Sequence, residues 1–170
     1  MSRSTSAGFT ISGPGPKGIA RTTAIRADGT STAVRNGSIS GFFVGVALGD
    51  GSIVEGLRVF GVGCPCFLGI GATGIVKGNT VVGCDDGANA GTGIFAMGIA
   101  IGNSASGNRV AGIMIGQGST VIGNTSTEND NEGLDVFCPS NVTDNTAVNN
   151  VGPNLLLNGN GCNNTNNVAP

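Results

Sequence analysis

VKGNTVV (76–82), AIGNSAS (100–106), VIGNTST (121–127) and VTDNTAV (142–148) are copies of one unit. Their asparagines, Asn79, Asn103, Asn124 and Asn145, stand 24, 21 and 21 residues apart. Each is followed by Thr or Ser and preceded three positions earlier by Val or Ala. Two degenerate copies, VRNGSIS around Val34 and VEGLRVF around Val54, carry the series backwards. A period near twenty residues in a chain rich in Gly, Val and Ile predicts an all-β solenoid of about six coils.

Within each coil, apolar positions alternate with small or polar ones, the period-2 pattern of strands with one buried face. On the first strand the inward column is Val34, Val54, Val76, Ala100, Val121 and Val142. On the second it is Ile39, Val59, Val81, Ala105, Ser126 and Ala147. The third strand supplies a double column, from Val46 and Leu48 through Ile70 and Ala72, Ile94 and Ala96, Ile113 and Ile115, Leu134 and Val136, to Leu155 and Leu157. Coils stacked at the inter-strand spacing of roughly 4.8 Å bring equal positions into contact. The Asn column then becomes a ladder, each amide donating to the next carboxamide oxygen, which is how a buried polar residue is tolerated. Its expected role is structural.

Glycine is abundant at 32 residues, and charged residues are scarce at 11%. Tight corners in every coil explain the first figure. Eight basic against ten acidic residues give a net charge of −2, with no run of Lys or Arg. Nucleic acid and anionic membranes are therefore poor candidate partners. No stretch of apolar residues is long enough to insert in a membrane, and the opening MSRSTSAGFTISGPG lacks the pattern of a signal peptide.

The five cysteines are Cys64, Cys66, Cys84, Cys138 and Cys162. Cys138 and Cys162 lie about one coil apart, so stacked corners would bring them together, and Cys64 or Cys66 would similarly meet Cys84. The alternative is a set of small buried hydrophobes in turns. CPC at 64–66 is not a zinc pattern, because the chain has no histidine and no second CxxC.

The V-x-G-N-T units, the strand starts GIFA (from Gly93), GIMI (from Gly112) and GLDV (from Gly133), and the segment GFTISGPG resemble right-handed parallel β-helix repeat proteins of the pectin-lyase-like superfamily. The resemblance covers nearly the whole chain. It implies the handedness, an extracellular or cell-surface location, and a polysaccharide as the candidate partner. It does not select a function, since that superfamily holds lyases, hydrolases, epimerases and adhesins. Its catalytic members use Arg, Lys, Asp, His and Tyr clusters, and this chain has neither His, Tyr nor Trp.

GFTISG at 8–13 matches second-strand positions, Ile11 with Ile39, so the sequence is expected to open in mid-coil without an N-terminal cap. A bare solenoid end predicts self-association there. The expected division is a β-helix over 1–157 and a polar, Asn-rich tail or cap over 158–170.

Counting six residues from the ladder, Asp85, Arg109 and Asp130 stack on consecutive coils, with Asp86, Glu128, Glu132 and an outward-facing Asp135 around them. Arg109, Asp85 and Asp130 are the catalytic candidates, by proton abstraction beside a carboxylate. Asp86, Glu132 and Asp135 are candidate binding residues, and Asp85, Asp130 and Glu132 are candidate ligands for calcium, the one candidate cofactor. ENDNEG at 128–133 resembles the first half of an EF-hand loop, but its twelfth position is Pro139 rather than Glu. The competing reading is an alternating-sign column on an exposed turn, and Arg35, Glu55 and Lys77 form a second such column. GCDDGANAGT at 83–92 is an insertion beside the first.

Outward residues of the second strand, Ser38/Ser40, Thr80/Val82, Ser104/Ser106, Thr125/Thr127 and Thr146/Val148, form a hydroxyl array like the ice-binding faces of β-solenoids, interrupted by Arg58/Phe60. Glycosylation sequons stand at Asn36, Asn124, Asn141 and Asn163. The expected function is a non-catalytic surface or carbohydrate-associated scaffold. The alternative is a calcium-dependent polysaccharide lyase or its remnant, and ice binding is a remoter one.

Overall fold

The computed structural model describes residues 8–14, 22–61, 66–85, 87 and 90–170. Among these the chain is all-β and forms a parallel solenoid of about six turns. Strands pair in parallel with those one turn earlier and one turn later, except at the two ends of the stack. In the early coils strands run together: Val44–Phe60 joins three, while Leu68–Lys77 and Thr92–Ile101 each join two. Later coils break into pieces of three or four residues, such as Ile113–Ile115, Thr120–Ile122 and Thr125–Thr127.

The register follows the sequence columns. Val34, Val54, Val76, Ala100, Val121 and Val142 are successive partners. Ile39 through Ala147 does the same on the second strand, and Ile11 pairs with Ile39. Val46, Ile70, Ile94, Ile113, Leu134 and Leu155 align on the third. Ile70, Ile94 and Ile113 are fully buried, each contributing about 1.5–3 kcal/mol relative to an exposed side chain.

Corners carry the polar interior. At the first, Nδ2 of Asn79, Asn103 and Asn124 donates to Oδ1 of the next rung at 3.0, 2.9 and 3.0 Å, and Asn167 extends the ladder beyond Asn145 at 2.8 Å. Each backbone N–H donates to the same oxygen, and each Nδ2 also donates to a carbonyl of the preceding turn, Val54 O for Asn79 and Val76 O for Asn103. The residue before each Asn is left-handed, with φ of 61° at Gly78 and 60° at Gly102, which glycine adopts without a Cβ clash.

The second corner holds another ladder, Asn108 to Asn129 to Asn150 to Asn154, with Nδ2 to Oδ1 distances of 2.9, 2.7 and 2.9 Å. Its first rung receives the Cys84 N–H at 3.0 Å. The glycines that open the GI and GL strands make room for it, since a Cβ on Gly93 would lie 2.8 Å from Nδ2 of Asn108. The third corner has a shorter serine version, in which the Gly98 N–H donates to Ser119 Oγ and the Ser119 N–H to Ser140 Oγ.

Two disulfides tie neighbouring coils, Cys66 to Cys84 and Cys138 to Cys162. Cys64 lies outside the described residues. The Asn-rich segment from 158 onwards continues the stack: Asn163–Thr165 pairs with Asn141–Thr143, and Val168 bridges Thr146.

Candidate functional site

Arg109 and Asp130 follow rungs of the second ladder directly, and Asp85 follows Cys84 at its head, so backbone stacking sets the spacing of this charged corner. The Arg109 N–H donates to Cys84 O and the Asp130 N–H to Asn108 O, both at 2.9 Å. Their side chains form the predicted column: Arg109 Nε lies 3.6 Å from Asp85 Oδ1, and Nη1 lies 3.9 Å from Asp130 Oδ2. With exposures of 39, 47 and 63%, these long pairs contribute at most about 1 kcal/mol each. An open depression of about 320 Å³ lies against Arg109, Val110, Asp130 and Asn131.

The calcium candidates Asp85, Asp130 and Glu132 are not gathered into one cluster. Among the described residues no group of three or more His, Cys, Asp or Glu side chains stands close enough to hold a metal ion. Arg109 occupies the rung between Asp85 and Asp130, and Asp85 Oδ1 accepts the Gly87 N–H at 2.8 Å. In ENDNEG, Asn129 is fully buried and its amide oxygen accepts both donors of Asn108, so this stretch is a solenoid corner. Glu128 precedes it with a left-handed φ of 57°. Asp86 lies outside the described residues.

Asp135 points outward on Leu134–Phe137 between Met114 and Leu156, yet it is only 7% exposed and accepts a hydrogen bond from Asn158 Nδ2. Burial, and then the charge of Glu132, push its carboxyl above the usual range, while the Asn158 bond opposes them. A raised folded-state value contributes stability that is fully present below the unfolded pKa and lost as pH rises through the folded one. Asp135→Asn is therefore expected to raise the melting temperature at pH 7 and to leave it unchanged at a pH where Asp135 is protonated. Thermal melts of both proteins across pH 3–8 check this, and equal shifts at every pH would contradict it. Glu55 behaves oppositely, held below its usual range by Lys77 more than by Arg35, but it is common to both proteins.

The second charge column is closed. Glu55 pairs with Arg35 at 3.3 Å and with Lys77 at 3.1 Å. The second-strand hydroxyls share one register, Ser38, Arg58, Thr80, Ser104, Thr125 and Thr146 along one column, with Arg58 and Phe60 breaking the array. Among the sequons, Asn124 is 1% exposed and its amide is committed to the ladder, so it is no glycan acceptor.

The second ladder went unread in the sequence, although Asn108, Asn129 and Asn150 each stand five residues after a rung of the first. Comparison with known proteins finds no matching family model, no similar characterised protein and no similar solved structure. The corner must be judged on its own geometry.

Proposed function

We propose that the chain is a non-catalytic β-solenoid scaffold that binds carbohydrate on its lateral faces, a member of the right-handed parallel β-helix group that its repeats resemble. The observation that carries this reading is the position of Arg109. A guanidinium set between two carboxylates of neighbouring coils is already engaged as an ion-pair partner, which suits a charge column and not a general base. Arg35, Glu55 and Lys77 repeat the arrangement on another face. The regular columns of Thr and Ser supply donors and acceptors at strand spacing, suited to sugar hydroxyls. Two inter-coil disulfides favour an oxidising, extracellular setting.

A calcium-dependent lyase is the second reading, favoured by the depression beside Arg109. Mass spectrometry of acidic and neutral polysaccharides incubated with the chain, with and without Ca²⁺, separates the two. The scaffold reading predicts no new ends from the wild type or from Arg109→Ala. Unsaturated products that vanish in Arg109→Ala and with a chelator would overturn it.

A further inference from the structure

The described basic side chains are Arg26, Arg35, Arg58, Lys77 and Arg109. Arg26 pairs with Asp28, Arg35 and Lys77 with Glu55, and Arg109 with Asp85 and Asp130. Arg58 alone among them has no ion pair. It is exposed, replaces a hydroxyl residue in the second-strand column, and stands in register between Ser38 and Thr80.

Arg58 also lines an open depression of about 320 Å³ together with Thr10, Asn36 and Ser38. Glycines form much of the remaining wall, and among the described residues no carboxylate lines it. Phe9 packs inward over Gly37, in register with buried Leu57, so its ring belongs to the core and the depression lies on the opposite, outward face. An uncompensated guanidinium and two hydroxyls thus meet in one concavity, away from the charged corner at Arg109. Guanidinium groups recognise planar or tetrahedral oxyanions through paired N–H donors. Hydroxyls accept from and donate to neighbouring sugar hydroxyls.

We infer that this depression is a binding subsite for an oxyanion-bearing saccharide unit, with Arg58 on the carboxylate or sulfate and Thr10 and Ser38 on ring hydroxyls. The inference rests on the carbohydrate-binding reading above and names where, and for which sugars, that binding is strongest.

The test is titration of the full chain with carboxylated, sulfated and neutral oligosaccharides of equal length, followed by amide chemical shifts. Saturable binding of an anionic oligosaccharide is expected, with the largest shifts at Gly37, Ser38 and Arg58. Arg58→Gln should weaken it at least tenfold and Arg58→Lys less, while Lys77→Gln, with the same loss of charge on another face, should not. Comparing the carboxylated and sulfated arms identifies the oxyanion. Unchanged affinity in a folded Arg58→Gln, or equal binding of the neutral oligosaccharide, would overturn the subsite and leave carbohydrate binding standing. No binding of any saccharide would overturn both.

Discussion

Asn124→Ala should destabilise the solenoid by about 4 kcal/mol, among the larger effects a single substitution produces. Asn124 Oδ1 accepts from both N and Nδ2 of Asn103, and its Nδ2 donates to Ala100 O and Asn145 Oδ1. Truncation leaves the buried Asn103 N–H without this acceptor, and Asn103 Nδ2 keeps only Val76 O. Each unsatisfied buried group costs about 1–3 kcal/mol, and the pocket is too enclosed for the fold to recover the loss by solvation. The last rung provides the control. Asn167 is half-buried, so water can replace its partners and Asn167→Ala should cost about 1 kcal/mol. Guanidinium unfolding of the three proteins measures the gradient; equal losses at the two rungs would show that burial does not set the energy of the ladder.

Gly112→Ala is expected to cost about 3 kcal/mol, through overpacking where the strand passes the second ladder. A Cβ there would overlap Ser126 Oγ and sit 2.5 Å from Nδ2 of Asn129. Ser126 Oγ donates to Gly133 O at 2.7 Å and accepts from Asn129 Nδ2 at 3.0 Å, so moving it disturbs two hydrogen bonds of the corner. Ser126→Ala removes the atom that the new methyl meets first. The double substitution should therefore be less destabilised than the sum of the singles, a coupling that denaturation of all four proteins reads directly. Gly118→Ala separates space from backbone conformation. Its Cβ would meet nothing within 4 Å, and only its φ of 76° resists the change, by about 1–2 kcal/mol. A Gly112→Ala loss no larger than that of Gly118→Ala would contradict the packing account.

The inward columns were legible because stacking makes chemistry repeat at a fixed offset: Val34 to Val142 and Val46 to Leu155 could be aligned without coordinates, and so could the rungs from Asn79 to Asn145. Asn108, Asn129 and Asn150 repeat just as regularly. They are followed by Arg, Asp and Val rather than by Thr or Ser, so a motif built on Asn-Thr passed over them. The Asp85, Arg109 and Asp130 column was legible for the same reason as the core. Its chemistry was not, because whether an exposed Arg between two acids is a site or a surface pair depends on side-chain distances. The burial of Asp135 had no sequence signal either: alternation places it outward, and its partner, Asn158, comes from the next coil. Arg58 stood in the sequence as an interruption of a hydroxyl array. Its lack of an ion pair among the described residues and its place beside Thr10 and Ser38 come from the stacking of three coils.

The central claim is that the polar interior is a continuous, water-excluded ladder that holds the coils together. Hydrogen exchange of the Asn side-chain amides, followed by NMR, tests it most directly. The ladder predicts that the Nδ2 protons of Asn103 and Asn124 exchange only on large-scale opening, slower by orders of magnitude than those of exposed Asn141 and Asn163. Exchange of Asn103 and Asn124 at the rate of the exposed amides would contradict it.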